Sequence, residues 1–333
     1  MYGGIGCLGT PIVRSDAAGI WATGKMWWTV PPVINVVMTG RLRPNVSGKD
    51  VILSLIAQVG HKAVLNCALE FSGEGIRSLS IDDRLSIANM TTEWGALSGL
   101  FPTDQILIDW IIKQQNMYPE NCRFSSERIS DLNLEKLDAD GDAIYEKTIT
   151  IDLSTVSTSV TGANDLSTTI ANQEKIYIDK AYLISCVNSR TSDLLIAAEI
   201  LAEKRIHPNV DFYLSPSSSQ VQDELVKTGH WQILIDAGAK ELPSGCGPCI
   251  GLGEGLLKPG EIAISASNRN FPGRMGHKDS IVYLASPALV AKSALNGFIS
   301  SSEIEKPVSV EIINHHFPII DLYGYEKSSN DKV

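Results

Sequence analysis

The stretch KAYLISCVNSRTSDLLIAAEILAEK (180–204) decides the fold. KAYLIS (180–185) is an apolar run of strand length, and SDLLIAAEILAEK (192–204) carries apolar residues at helical spacing. The same unit recurs: VDFYLS (210–215) leads to SQVQDELVKTG (219–229), and EIAISA (261–266) to IVYLAS (281–286) and PALVAKSALNG (287–297). Strands alternating with helices over short connections predict a parallel α/β sheet. Cys186 is the first residue beyond the strand that opens the series. In an open α/β sheet this carboxyl edge is where ligands bind.

Upstream the pattern is similar. A glycine-rich opening precedes SDAAGIWATGKMWW (15–28), read as a short helix with Ser15 or Asp16 near its N-cap and stopped by Pro31 and Pro32. VINVVMTGRL (33–42) and AVLNCALEF (63–71) read as strands. GKDVILSLIAQVG (48–60), SIDDRLSIANMTTEWGALSGLF (80–101) and TDQILIDWIIKQQ (103–115) read as helices, the second running into a small-residue segment. Residues 116–142 are polar, TITIDL (148–153) is a strand, and 154–172, poor in large apolar residues, is expected to link two lobes. Residues 301–333 form a polar tail.

Composition narrows the function. The 333 residues are 44% hydrophobic, enough for more than one buried core. There is no apolar run of membrane-spanning length, and the stretch MYGGIGCLGTPIV (1–13) is not expected to act as a signal peptide or basic leader. A net charge of -10 argues against nucleic acid as a partner. An anionic substrate needs local arginines working against that field. Six cysteines in a chain this long suit free thiols for ligation or chemistry better than a disulfide framework.

Two of those thiols, Cys246 and Cys249, stand in SGCGPCIGLG (244–253), where side chains are too small to fill a core. With Cys186 they make three thiols; Cys7, Cys67 and Cys122 fit no paired spacing. Three thiolates leave one position of a metal centre open, as Lewis-acid catalysis requires, and glycines let backbone N–H groups approach cluster sulfides. On spacing alone a structural zinc loop and a redox dithiol remain alternatives. A zinc site would combine Cys186, Cys246, Cys249 and His277. His61, His207 and His230 read as surface or satisfied core histidines, and His315 and His316 belong to the tail.

SCVNSR (185–190), GCGPCIG (245–251) and SNRNFPGRMG (267–276) resemble, in order, the three signature segments of the aconitase superfamily. GRMGHKDSIVYLASPALVAKSAL (273–295) and MYGGIGCLGTPIVRSDAAGIWATGKMWW (1–28) look most like its homoaconitase branch, which serves lysine biosynthesis. Isopropylmalate isomerase, whose large subunit shares the cysteine pattern, and aconitase are the alternative members. The resemblance covers residues 1 to about 300 and implies three-layer α/β/α domains with parallel sheets, without the C-terminal swivel domain. Its domain map places the remnant of a first domain at 1–35, a second lobe at 36–153, the linker at 154–172 and a third lobe at 173–300. It implies a [4Fe–4S] cluster on Cys186, Cys246 and Cys249. Substrate contacts would come from Asn89, Glu93, Asn268, Arg269 and Arg274; guanidinium groups suit a di- or tricarboxylate. Without the resemblance, Asn89 and Glu93 read as a solvated helix face, and Arg269 and Arg274 as surface salt-bridge formers.

The implied activity is a hydro-lyase reaction, dehydration followed by rehydration, expected in mitochondria by the resemblance and in the cytoplasm otherwise. In the family an Asp-Ser-His segment stands just before a stretch like MYGGIG, and further histidines lie upstream. The swivel domain supplies a serine base and more arginines. None of these is expected among the 333 residues, so the resemblance implies no catalytic acid or base here. Turnover by this polypeptide alone is expected to be weak or absent, with a partner chain as one source of the swivel domain and a non-catalytic cluster- or zinc-binding fragment as the alternative. Trp27 and Trp28 are expected to expose apolar surface.

Overall fold

The computed structural model describes residues 2–117, 119, 125–134, 139–169, 175–299 and 308–315. The first lobe opens with α1 (Arg14–Thr23) and then β1 (Val33–Thr39), α2 (Gly48–Val59), β2 (Ala68–Ser72), α3 (Ile81–Trp94), β3 (Ser98–Leu100), α4 (Gln105–Met117), α5 (Ser126–Leu134) and β4 (Lys147–Asp152). Between the lobes lie β5 (Thr161–Gly162) and β6 (Asp165–Thr169). The second lobe holds β7 (Ile176–Tyr177), β8 (Lys180–Leu183), α6 (Thr191–Leu201), β9 (Asp211–Leu214), α7 (Ser219–Lys227), α8 (His230–Asp236), β10 (Lys240–Glu241), β11 (Ile262–Ser265), β12 (Ile281–Leu284), α9 (Pro287–Asn296) and β13 (Phe298–Ile299). Finally β14 (Val310–Asn314) returns to the first lobe.

Two five-stranded sheets result, ordered β14-β4-β1-β2-β3 and β10-β9-β8-β11-β12. Within these two sheets every pairing is parallel except that of β14 with β4, while the short pairs β5–β6 and β7–β13 are antiparallel. The α/β class with parallel sheets is therefore as expected from the strand–helix alternation. In β1 every second residue is buried, which fits a strand with one face against α2 and α3. In the second sheet Ala181, Leu183, Phe212 and Ile264 share a core with α6, α8 and α9. The alternate residues Tyr182, Ile184, Tyr213 and Ala263 pack with Leu242, Cys249, Leu257 and Met275. The loops that carry the cysteines and arginines thus cover this second face.

Several elements differ from the sequence reading. The strand expected over 63–71 starts only at Ala68, because Asn66 adopts a left-handed turn (φ 60°) ahead of it. Helix α8 was not expected; it follows α7 after only the left-handed turn at Gly229 (φ 79°). Between the sheets, Ser157 to Thr161 are buried, and the Asn164 side chain donates to Ser280 O at 3.1 Å and accepts from Val282 N–H at 2.9 Å. Within the tail, β14 pairs with β4. In the opening segment Trp21 and Trp27 are 87% and 85% exposed, whereas Trp28 is partly covered.

Candidate metal centre and ligand cleft

The order of the second sheet turns at β8. The chain goes outward from it to β9 and β10 on one side, then returns to β11 and β12 on the other. This is the topological switch point where open sheets bind ligands beyond their strand ends. Cys186 follows β8 there, and Asn268 and Arg269 follow its neighbour β11. Ser185 takes φ 119°, a conformation that L residues rarely adopt. Its buried Oγ accepts the Val187 N–H at 3.0 Å. The sharp turn leaves Cys186 exposed between two buried neighbours.

Cys246 caps a single helical turn, Gly247–Ile250, that contains Cys249, with Cys249 N–H donating to Cys246 O at 2.9 Å. Gly245, Gly247 and Gly251 have φ of 137°, 42° and 75°, so side chains there are strained, as the small-residue composition anticipates. Arg274 Nε donates to Cys249 O at 2.8 Å, and its guanidinium lies over the Phe271 ring. Burial pushes the Cys249 thiol up; Arg274 and Lys49 pull it back, while Cys186 and Cys246 push it further. Burial also raises the Cys186 thiol, and Cys246 adds to that. The three sulfurs thus lie within electrostatic reach of one another. Cys7 is exposed and Cys67 buried, neither acting on this group; Cys122 lies outside the described residues.

Among the described residues no three His, Cys, Asp or Glu side chains gather tightly enough to hold a single metal ion. The alternative zinc site is thus not preformed among the described residues, and His277 Nδ1 accepts the Asp279 N–H at 3.2 Å. A cluster makes a different demand, since each thiolate takes a different iron and the sulfurs must stand apart. Of the remaining histidines, His207 Nδ1 accepts the Asn209 N–H, His230 meets Thr228, and His315 meets Thr148; His316 lies outside the described residues.

The first lobe meets this edge through α3. Asn89 and Glu93 lie one turn apart and share a face. Asn268 Nδ2 donates to Asn89 Oδ1 at 3.0 Å and to Glu93 Oε1 at 3.4 Å. Arg269 Nε donates to the same Glu93 oxygen at 2.5 Å. Glu93 is only 4% exposed against 41% for Arg269, and its Oε2 is buried with no hydrogen-bond partner. The structure therefore gathers Asn89, Glu93, Asn268 and Arg269 into one group, while Arg274 binds the cysteine loop instead. A solvated helix face does not describe Asn89 and Glu93.

The structure also brings in residues that the motifs did not mark. Lys49, at the start of α2, is completely buried, and its Nζ donates to Ala266 O at 3.1 Å and to Ser267 O. Burial lowers its pKa to about 8 against the opposing pull of Cys249, Glu93, Asp50 and Asp193. The sequence held a signal for it: position 49 shares a helical face with Ile52, Leu53 and Ile56, so a lysine interrupts a buried apolar stripe. Arg190 Nη1 and Ser192 Oγ reach Asp82 of α3 at 3.3 and 2.8 Å, and Asn188 Nδ2 reaches Ser86 Oγ at 3.1 Å. A cavity of ≈ 550 Å³ opens along this seam, lined by Cys186, Arg190, Asp82, Ser192, Lys113 and Glu224 among others.

The family model for the aconitase family (aconitate hydratase) matches residues 1–175 and 164–297. Among curated relatives, the protein named homoaconitase, mitochondrial, of Candida parapsilosis is 52% identical over 307 residues, 91% of this chain and 45% of its own length. Proteins of the same name from Yarrowia lipolytica and Cryptococcus neoformans var. neoformans are 51% and 49% identical, each over 91% of this chain and over 45% and 44% of their own lengths. The chain spans a little under half the length of these relatives.

Proposed function

The chain belongs to the aconitase family, and from that premise we propose that it carries the cluster-binding and substrate-gripping part of a homoaconitase-like hydro-lyase. The reaction is the interconversion of homocitrate and homoisocitrate through homoaconitate, by dehydration and rehydration. The observation that carries this reading is that Cys186 and the Asn268–Arg269 turn follow neighbouring strands at a sheet switch point, with Cys246 and Cys249 within electrostatic reach of Cys186 and with Asn89 and Glu93 of the first lobe bonded to the turn.

The residues fit a [4Fe–4S] cluster held by Cys186, Cys246 and Cys249. The thiols are mutually coupled, their loop is built of glycines with positive φ, and positive charge from Arg274 and Lys49 acts on Cys249. When bound, such a cluster supplies a Lewis-acid iron with an open position for a hydroxyl and a carboxylate. Arg269, the more exposed partner of its ion pair, grips a substrate carboxylate, and Asn89 and Asn268 orient it through their amides. The unpartnered Glu93 Oε2 accepts a hydrogen bond from a hydroxyl or water in the cleft. Arg274 grips a second carboxylate while its Nε keeps the cysteine loop in place. Proton transfer is assigned to the full-length architecture of the relatives, of which this chain spans a little under half. The relatives' names support a mitochondrial location.

Anaerobic reconstitution with ferrous iron and sulfide tests the reading. The wild-type chain should develop the brown absorbance of a cluster, and Cys246→Ser should lose it. An unchanged spectrum in that variant overturns the ligand assignment, and elemental analysis showing zinc in place of iron overturns the cofactor.

A further inference from the structure

The ammonium of Lys49 has no obvious reason to be where it is. Burying a charge costs several kcal/mol, about as much as a good pairing returns, so an aliphatic residue of similar length would serve packing equally well. What singles out Lys49 is its acceptors: the successive carbonyls of Ala266 and Ser267, 217 and 218 residues away. These are the last peptide groups before Asn268 and Arg269. The same turn is held from its other side by Asn270, whose Nδ2 donates to Val282 O at 3.0 Å. A carbonyl bonded to an ammonium cannot rotate away, so the peptide planes of 266 and 267 are fixed relative to α2. The α2–α3 contact is itself tight: Gly48 N–H donates to the Asp83 carboxylate at 2.6 Å.

We infer that Lys49 is a positioning residue: its ammonium fixes the Asn268–Arg269 turn of the second lobe against α2 of the first, and so sets the spacing between Arg269 and the Asn89–Glu93 face of α3. It touches neither substrate nor reacting atoms in this arrangement. The consequence for a tricarboxylate rests on the proposed function; the mechanical statement about the turn does not.

Two arms keep these separate. The first follows backbone amide exchange of the ligand-free, cluster-free chain by mass spectrometry. Lys49→Met should speed exchange across residues 267–271 at least tenfold and leave α6 and α9 unchanged, whereas Lys49→Arg, which keeps a charged donor, should stay within about threefold of wild type. Unchanged exchange at 267–271 in a folded Lys49→Met overturns the inference. If Lys49→Met does not fold, Lys49→Gln, whose amide is too short to reach both carbonyls, decides: faster exchange confined to 267–271 supports the inference, and wild-type exchange there overturns it.

The second arm titrates the reconstituted chain with tricarballylate, an unreactive tricarboxylate, by calorimetry. Lys49→Met should bind about tenfold more weakly while keeping the cluster absorbance, with Lys49→Arg restoring affinity. Equal affinity in Lys49→Met overturns the positioning role. A wild-type chain that assembles no cluster or binds no tricarballylate instead overturns the proposed function, and leaves the exchange result standing.

Discussion

At the scale of single residues, two carboxyl groups, the half-buried Asp104 and the fully buried Asp50, respond to pH in opposite senses. Arg84 is fully covered, with Nη1 and Nη2 on the Asp104 carboxylate at 2.8 and 2.7 Å and Nη2 also on Ile76 O. Burial pushes the Asp104 carboxyl up, but its hydrogen bond and charge contact with Arg84 outweigh this and hold it below the usual range. Its contribution is present above the unfolded carboxylate pKa and is lost as pH falls through the folded one. Asp104→Ala strands a buried guanidinium and should cost about 2–3 kcal/mol in urea unfolding at neutral pH. Asp50 behaves in reverse. Burial raises its pKa to about 6 despite hydrogen bonds from Ser47 and Ser159. Its contribution is complete below the ordinary carboxylate pKa and is lost as pH rises through about 6. Asp50→Asn should therefore flatten the fall in unfolding free energy between about pH 4 and 6, whatever its effect at a single pH. Neither pairing was legible in the sequence, since nothing in SIDDRLS distinguishes a buried arginine from a solvated one. The cysteines and the SNRN segment were legible because few structures need those residue types in that order.

Among elements, the contact between α2 and α3 is the least forgiving. A Cβ on Gly48 would lie 2.5 Å from Asp83 O and 2.7 Å from its Cα, both backbone atoms with no rotamer to retreat into. Gly48→Ala should lower stability by about 2 kcal/mol, read as a lower thermal midpoint, and should also perturb Lys49 beside it. Periodicity sufficed for α2, α3, α4, α6, α7 and α9, each long enough to show an apolar face. It failed for α8, whose seven residues cover barely two turns, and for two-residue strands such as β10, which exist only through a neighbour's hydrogen bonds. The hairpin of β5 and β6 was hidden because its side chains are small and polar, although Thr161 is buried and bonded to Leu284 N–H.

On the scale of the molecule, the two parallel sheets were readable and their junction was not, because the contacts that form it link residues far apart in sequence. The opening segment was read in part: Leu8, Val13, Trp21, Trp27 and Val30 present large apolar side chains to solvent. Trp21→Ser and Trp27→Ser should each change unfolding free energy by less than about 0.5 kcal/mol yet reduce the fluorescence of a bound hydrophobic dye. A large loss of stability in either variant would show that the segment packs more firmly than its exposure implies.

The hydrogen bond from Lys49 to Ala266 also bears on the order in which the protein folds. Each sheet joins strands mostly near in sequence, whereas the cleft closes only when segments more than 170 residues apart meet, as between Asn89 and Asn268. Distant contacts carry their closure entropy before they return any energy, and larger chains fold lobe by lobe. These contacts predict that the cleft forms after the two sheets and opens before them. In refolding from urea, recovery of tricarballylate binding should lag behind recovery of helical circular dichroism.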